Sequence, residues 1–322
     1  MRFLALTGTA IARIPCRSVS HSRREYRARA PGIRLRRALE KERPLQIVGV
    51  IHAYAAIMAG QAGFAALYLS GAGVANASHG LSDLGFTTLD DVVEDVRRIC
   101  GATHLPLLVD ADTGWSDDAW VGYAVRELSR AGAAGMHIED QVSAKRCGHR
   151  QGKALVSTAE MAGRIRAAVR ARPDPSFVIM ARTDAVGVEG TVSAIARVRA
   201  YVKAGADMIF PEALTTLDQY RKFVENAGAP IMANITEFGV TPLFTLAQLR
   251  RVGVRIVLYP LSAFRAMNAA AGRVYRTIRK TGTQRSLLGR MQTRRELYDS
   301  LRYEAYERMM DRLLKIEAEA GR

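Results

Sequence analysis

Two acids two residues apart, in Val109-Asp110-Ala111-Asp112, and a third in His137-Ile138-Glu139-Asp140 are the first groups in this chain whose types and spacing suggest chemistry. On an extended strand the period of two sends Asp110 and Asp112 to one side, and Glu139, at the end of the next apolar run, reaches the same rim. Three crowded carboxylates repel unless a cation sits among them. Oxygen-only ligands favour a hard divalent ion, Mg2+ or Mn2+, held through few direct bonds and several waters. For a lone Asp the competing role is a helix cap.

A second group of residues can move protons. In Lys145-Arg146-Cys147-Gly148-His149 the Cys147 thiol is flanked by Lys145, Arg146 and His149, three potential cations that favour thiolate and lower its pKa. Such a thiol serves as an acid or base near neutrality. Gly148 and Gly152 supply the backbone freedom of a loop that closes over a substrate. Cys16 and Cys100 read instead as tail and helix.

A third group binds anions. Arg182, Arg265 and Arg294 follow the fifth apolar run, the eighth run and a C-terminal segment, and guanidinium forks suit bidentate carboxylate binding, so a small polyanion fits. Arg126, Arg164, Arg166, Arg197 and Arg199 fall mid-helix and read as solvated faces. His137, two residues before Glu139, is expected inside the core as a neutral, hydrogen-bonded ring.

These residues need elements to position them. Eight short β-rich apolar runs occur at 45–51, 66–71, 106–112, 135–140, 177–183, 207–212, 230–235 and 255–260. Helical stretches separate them at 53–62, 89–100, 117–131, 158–172, 192–204, 217–227 and 246–252. Glycines at 63, 132, 205 and 228 provide C-terminal helix caps before several strands. Eight βα units predict an α/β fold, a (βα)8 TIM barrel, whose catalytic groups gather at the carboxyl ends of the strands. Nearly every strand end carries a polar group: His52, Ser70, Asp110, Asp112, Glu139, Asp140, Arg182, Asp184, Glu212, Asn234, Thr236 and Tyr259. One such residue is usually a cap or anchor, but this many on one rim indicate a site. Helical stretches at 263–280, 286–291 and 297–319 exceed what one closing helix requires, and their apolar residues call for a partner surface.

Composition bounds the rest. The 322 residues are 48% hydrophobic and 24% charged, with no apolar run long enough to span a bilayer. Three cysteines suit a reducing compartment, the cytoplasm or an organelle matrix. The net charge of +16 is concentrated at the front, where residues 1–43 hold 12 Arg/Lys against 3 Asp/Glu. Residues 1–30 read as a basic leader resembling a mitochondrial transit peptide, a disordered tail or an upstream start, and residues 31–322 as a single (βα)8 domain with a C-terminal helical extension. Nucleic acid is an unfavoured partner, because no aromatic-basic recognition motif accompanies the arginines.

The motifs Tyr68-Leu69-Ser70-Gly71, Val109-Asp110-Ala111-Asp112, His137-Ile138-Glu139-Asp140-Gln141, Lys145-Arg146-Cys147-Gly148-His149, Ala181-Arg182-Thr183-Asp184 and Phe210-Pro211-Glu212-Ala213 resemble the isocitrate lyase and phosphoenolpyruvate mutase superfamily. Arg146 in place of a second lysine, Asn234-Ile235-Thr236-Glu237-Phe238-Gly239 and Met291-Gln292-Thr293-Arg294 look most like its branch acting on a methyl-bearing tricarboxylate. The resemblance implies retro-aldol cleavage of that 2-hydroxy tricarboxylate to pyruvate and succinate, in the methylcitrate route of propionate breakdown. Isocitrate, dimethylmalate and oxaloacetate are the alternative substrates. It also implies Mg2+ on Asp110 and Asp112, proton delivery from Cys147, and substrate contacts from Ser70, Gly71, Ala72, Gly148, Arg182, Glu212, Asn234, Ile235, Thr236, Arg265 and Arg294. Tyr68 is the first choice of base and Asp83 the second. A homotetramer exchanging C-terminal helices is implied as well. Departures from the family pattern are Ala72 for a glycine, His52 for an asparagine, His79, and Trp115-Ser116 for Phe-Gly; they bear on substrate preference.

Overall fold

Eight short strands alternate with helices: β1 (Leu45–Gly49), β2 (Ala66–Leu69), β3 (Leu107–Asp110), β4 (Gly135–Glu139), β5 (Val178–Thr183), β6 (Met208–Pro211), β7 (Met232–Asn234) and β8 (Ile256–Tyr259). This computed structural model describes residues 30–143, 145, 146, 148 and 152–320, with the side chains of 317–320 excluded. Residues 1–29, which hold nearly all of the expected basic leader, lie outside the described residues, as do Cys147 and His149. The strands pair in parallel in the order β6-β5-β4-β3-β2-β1-β8-β7. A parallel bridge between Ile209 and Ile231, with the Ile209 N–H donating to Pro230 O at 2.9 Å, joins the two ends. The result is the (βα)8 barrel that the spacing predicts. Strands β2 to β7 are buried along their whole length, so they read as unbroken apolar runs without alternation.

The helices around the barrel are α1 (Pro31–Lys41), α2 (Ala53–Gln61), α3 (Leu89–Ala102), α4 (Asp118–Ala131), α5 (Thr158–Ala171), α6 (Thr191–Lys203), α7 (Leu217–Asn226) and α8 (Leu246–Arg251). Several begin where the local sequence dictates. Thr88, Thr216 and Thr245 each form a reciprocal capping box with Asp91, Gln219 and Gln248, satisfying amide donors that the first helical turn leaves free. Helix α4 ends on Gly132 at φ 104°, where a β-carbon would also stand 3.0 Å from the Cys100 Cβ, so only glycine serves there.

Helix α1 was not among the helices expected from periodicity. Its Leu35, Ala38 and Leu39 pack with Leu45, Ile47, Tyr68, Met208 and Ile256 in the cluster that fills the barrel. Arg36 donates to Ser176 O at 3.2 Å and pairs with Asp207 at 2.8 Å, just ahead of β5 and β6. Helix α1 therefore covers the amino ends of the strands and leaves the carboxyl ends for chemistry.

Beyond β8 come α9 (Ser262–Thr281), a 3-10 turn at Arg285–Arg290, α10 (Arg294–Leu301) and α11 (Tyr303–Ala320). The last two were expected as one helix, but Arg302 takes a left-handed φ of 56° and divides them. Tyr275, Tyr306, Met310, Leu314 and Ile316 are exposed on this extension. Among the described residues, no helix is long and apolar enough to cross a membrane.

Candidate active site

The carboxyl ends of the strands enclose a cavity lined by Tyr68, Ser70, Ala72, Asp83, Asp110, Glu139, Lys145, Arg146, Gly148, Arg182, Phe210, Glu212, Asn234, Thr236 and Arg265, among others. These come from separate strand ends and loops, and the barrel brings nearly all of the sequence candidates to one place.

Asp110 ends β3 and is buried. Its Oδ2 accepts from the Gly71 N–H at 3.0 Å and from Tyr68 Oη at 3.3 Å, and its Oδ1 accepts from the Asp112 N–H at 3.1 Å. Burial opposes its ionisation, but His137, Lys145 and Arg182 together hold its carboxyl well below the usual range. The expectation that strand alternation aligns Asp110 with Asp112 needs correction. The strand stops at Asp110, and Asp112 adopts φ 46°, so a turn brings the two acids together. Asp112 lies against Gly71, where a β-carbon would sit 3.0 Å from Oδ1. Burial and the neighbouring Asp110 raise its pKa to about 7.

Glu139, at the end of β4, places Oε2 at 3.2 Å from Arg182 Nε, whereas its buried Oε1 has no hydrogen-bond partner. Burial, opposed by Arg182, pushes its carboxyl well above the ordinary range. Around this centre Asp83, Asp110, Asp112, Glu139, Asp184 and Glu212 face the cations Lys145, Lys153 and Arg182. That surplus of buried negative charge and the orphaned Glu139 oxygen fit a hard divalent cation. Among the described residues, no group of three or more His, Cys, Asp or Glu side chains is arranged as a metal-binding cluster.

Lys145 donates to Asp83 and to Asp112, both at 2.5 Å, and is nearly buried. Burial disfavours its charge, yet Asp112, Asp110, Glu139 and Asp83 hold its pKa above the ordinary lysine value. Tyr68 stacks on His137 with ring centroids 5.7 Å apart, and Tyr68 Oη lies 2.8 Å from His137 Nε2. Burial, then Asp110, raises the Tyr68 pKa well above normal, while burial lowers that of His137 to about 4. The expected neutral, buried His137 is thus found, with Phe210 edge-on to its other side at 5.3 Å.

Arg182 lies at the centre of the anion-binding side. It reaches Asp184 at 3.0 Å, Glu212 at 3.4 Å and the face of Phe210 at 5.2 Å. Asn234 donates to both Glu212 oxygens at 3.3 and 3.4 Å, and its own buried Oδ1 is unpartnered. Gly148 packs so tightly here that a β-carbon on it would fall 2.3 Å from Arg182 and 2.5 Å from Glu212 Cγ. Arg265 stands at the rim, half-exposed, with Cζ 5.6 Å from the Phe238 ring centre.

Some candidates lie elsewhere. Ile235 is buried in the apolar layer between barrel and helices, since it alternates with the cavity residues Asn234 and Thr236. Arg294 is exposed at the start of α10 and is not part of the cavity lining in this chain. His52 caps α2, its Nδ1 accepting from the Ala55 N–H at 3.0 Å. Trp115 donates to Thr87 O at 3.2 Å and packs on the core instead of the cavity. Arg164 and Arg197 are not solvated faces: both are buried, Arg164 donating to Thr113 O and Gln141 O and Arg197 to Val156 O. Arg126, Arg166 and Arg199 are exposed, as expected. Sequence reasoning missed Lys153, whose side chain is 5% exposed and binds Asp184 at 2.9 Å and Gly148 O at 2.6 Å. Its only signal was its place in the loop after Cys147.

Fold and site together define a barrel enzyme with an acid- and arginine-lined rim suited to a small polyanion. The family profile described as phosphoenolpyruvate phosphomutase matches residues 35–279. A protein of Escherichia coli strain K12 named 2-methylisocitrate lyase is 59% identical over 285 residues, 88% of this chain and 96% of that protein. The crystal structure of a 2,3-dimethylmalate lyase superposes with a TM-score of 0.79 at 36% identity, covering 91% of this chain and 96% of that one. A phosphonopyruvate hydrolase solved with oxalate and Mg2+ superposes with a TM-score of 0.78 at 29% identity, covering 88% and 99%. This chain belongs to the phosphoenolpyruvate phosphomutase family, within the isocitrate lyase and phosphoenolpyruvate mutase superfamily.

Proposed function

We propose that this chain is a metal-dependent lyase that cleaves the C2–C3 bond of (2S,3R)-2-methylisocitrate, releasing pyruvate and succinate in propionate breakdown. The observation that carries this reading is the 59% identity to the Escherichia coli 2-methylisocitrate lyase across 88% of the chain.

The residues are assigned as follows. Asp110, Asp112 and Glu139 would hold Mg2+, or Mn2+ in its place, and the bound ion supplies Lewis acidity to the hydroxyl and carboxylate at C2. Tyr68 handles the proton of the substrate hydroxyl: its Oη is on the cavity wall between Asp110 and His137, whereas Asp83 is neutralised by Lys145. As the substrate proton enters at Tyr68 Oη, the phenolic proton passes to a neighbour within reach, Asp110 Oδ2 at 3.3 Å or His137 Nε2 at 2.8 Å. Arg182 binds a substrate carboxylate and stabilises the charge that develops toward C3, with Asn234 and Glu212 fixing its orientation. Cys147 protonates C3 to complete succinate, assisted by the loop cations Arg146 and His149, and the seat of Gly148 against Arg182 supports this placement. Ser70, Ala72, Thr236 and Arg265 complete the substrate contacts from the cavity wall, with Gly71 holding the acids beside it.

The exposed apolar residues of α9 to α11 support a homotetramer that exchanges these helices. Such exchange would bring Arg294 to a neighbouring site. A purified sample assayed with Mg2+, with pyruvate, glyoxylate and succinate measured separately on 2-methylisocitrate, isocitrate and dimethylmalate, tests the reading. Pyruvate and succinate from the first substrate support it; preferential turnover of either other substrate assigns the chain to a different lyase of the superfamily.

A further inference from the structure

We propose that Lys153 is a positioning residue for the segment that carries Cys147, tying the Gly148 carbonyl to Asp184, the same carboxylate that holds Arg182. The inference deepens the function proposed above and rests on it for the role of Cys147.

The ends of this segment are fixed by backbone pairing. The Val142 N–H donates to Ala154 O at 3.0 Å, the Val156 N–H donates to Asp140 O at 2.9 Å, and Gln141 bridges Leu155 in antiparallel fashion. Between those ends the Gln141 amide makes a reciprocal clip with the Arg146 backbone, both bonds being 2.9 Å. Lys153 is the next anchor. Its ammonium donates to Gly148 O at 2.6 Å and to Asp184 Oδ1 at 2.9 Å, and the side chain is almost wholly buried.

Asp184 gives this contact its meaning. It is fully buried, its N–H donates to Asp140 Oδ1 at 2.9 Å, and its two oxygens accept from Arg182 at 3.0 and 3.3 Å. One oxygen, Oδ1, serves both Arg182 and Lys153. The Gly148 carbonyl, through Lys153, and the Arg182 guanidinium are therefore both referenced to one buried carboxylate, and Gly148 is next in sequence to Cys147. A buried ammonium is costly unless it is paired, and here its partners are an acid and a carbonyl on two different elements. Packing alone would be met by an apolar chain of the same length; the directed bond to Gly148 O would not.

The test is Lys153→Met in the full chain, which keeps length and leaves Asp184 paired with Arg182. Hydrogen exchange without substrate should become about tenfold faster in the peptide spanning 142–156, with the barrel strands unchanged. With 2-methylisocitrate, kcat should fall about a hundredfold and KM stay within about threefold, because a small displacement of the reacting group is penalised in the transition state. Lys153→Arg, which retains charge and donors, should recover part of kcat. Unchanged exchange, or a loss confined to KM, would overturn the proposal. If the wild type fails to turn over 2-methylisocitrate while Lys153→Met still accelerates local exchange, the substrate reading fails and the anchor stands. If Lys153→Met loses protection throughout the barrel, Lys153→Gln is carried through the same comparison.

Discussion

Gly148 and Arg182 are in such close contact that a single methyl group cannot be inserted between them: a β-carbon on Gly148 would stand 2.3 Å from the guanidinium Nη2. The segment bearing the candidate acid and the candidate carboxylate-binding arginine thus fit as a pair.

Gly148→Ala should separate that pair at little cost to the fold, since the added methyl lies on the rim of the barrel instead of in its core. Steady-state kinetics should show kcat/KM reduced about a hundredfold, the scale of an ångström-level misplacement. Thermal unfolding should stay close to the wild type. Activity within about twofold of wild type would place Gly148 outside the reacting geometry.

Asp110→Ala removes a carboxylate that accepts from the Gly71 N–H, the Asp112 N–H and the Tyr68 hydroxyl. Metal-dependent turnover should disappear, and the freed buried donors should lower stability by about 1–3 kcal/mol. Titrating Mg2+ into chelated wild type and variant reads the first effect, and denaturant melts read the second. Recovery of full activity at raised Mg2+ would mean that Asp110 contributes affinity only.

Cys147→Ser keeps shape and hydrogen bonding but replaces the thiol with a much weaker acid. A loss of about a hundredfold or more in kcat is expected, with substrate binding retained, as befits a group that transfers a proton. A change under about threefold, measured beside an intact circular dichroism spectrum, would remove Cys147 from the mechanism.

Cys100, the one cysteine among the described residues, gives a pH-dependent prediction of its own. Burial raises the pKa of Cys100 from 9.0 to about 11, so the folded state holds this proton more tightly than the unfolded chain does. The stability this provides is complete below about pH 9 and is lost as pH climbs through about 11. Cys100→Ala should therefore lose less stability than wild type between those pH values. Parallel alkaline melting curves for the two proteins would contradict this.

Much of this was legible because the chain speaks locally. Strands such as β4 and β5, buried on both faces, show as apolar runs, and a glycine such as Gly132 marks a helix end. Polar residues at the ends of those runs then converge because a parallel barrel leaves them no alternative. What stayed hidden depends on distance in sequence. Arg36 finds Asp207 and Lys153 finds Asp184 only in the folded chain, so α1 looked like part of a basic stretch and Lys153 carried no local signal of a role. Arg164 and Arg197 looked solvated because carbonyls from other elements, which pair them in the interior, leave no trace on their own helices. Ile235 lies away from the cavity for a different reason: it alternates with Asn234 and Thr236, so its side chain packs into the core.

Substrate preference turns on one methyl group. Phe210, Leu258 and Leu261 line the cavity beside the charged groups and are the surface proposed to receive a C2 methyl. Filling such a surface with one methyl is worth about 1–3 kcal/mol, or roughly 10- to 200-fold in kcat/KM. The most direct measurement is the ratio of kcat/KM for pyruvate release from 2-methylisocitrate to that for glyoxylate release from isocitrate, with Mg2+ and reduced protein. A ratio in that range in favour of 2-methylisocitrate is expected; a ratio of one or less would contradict the proposed substrate.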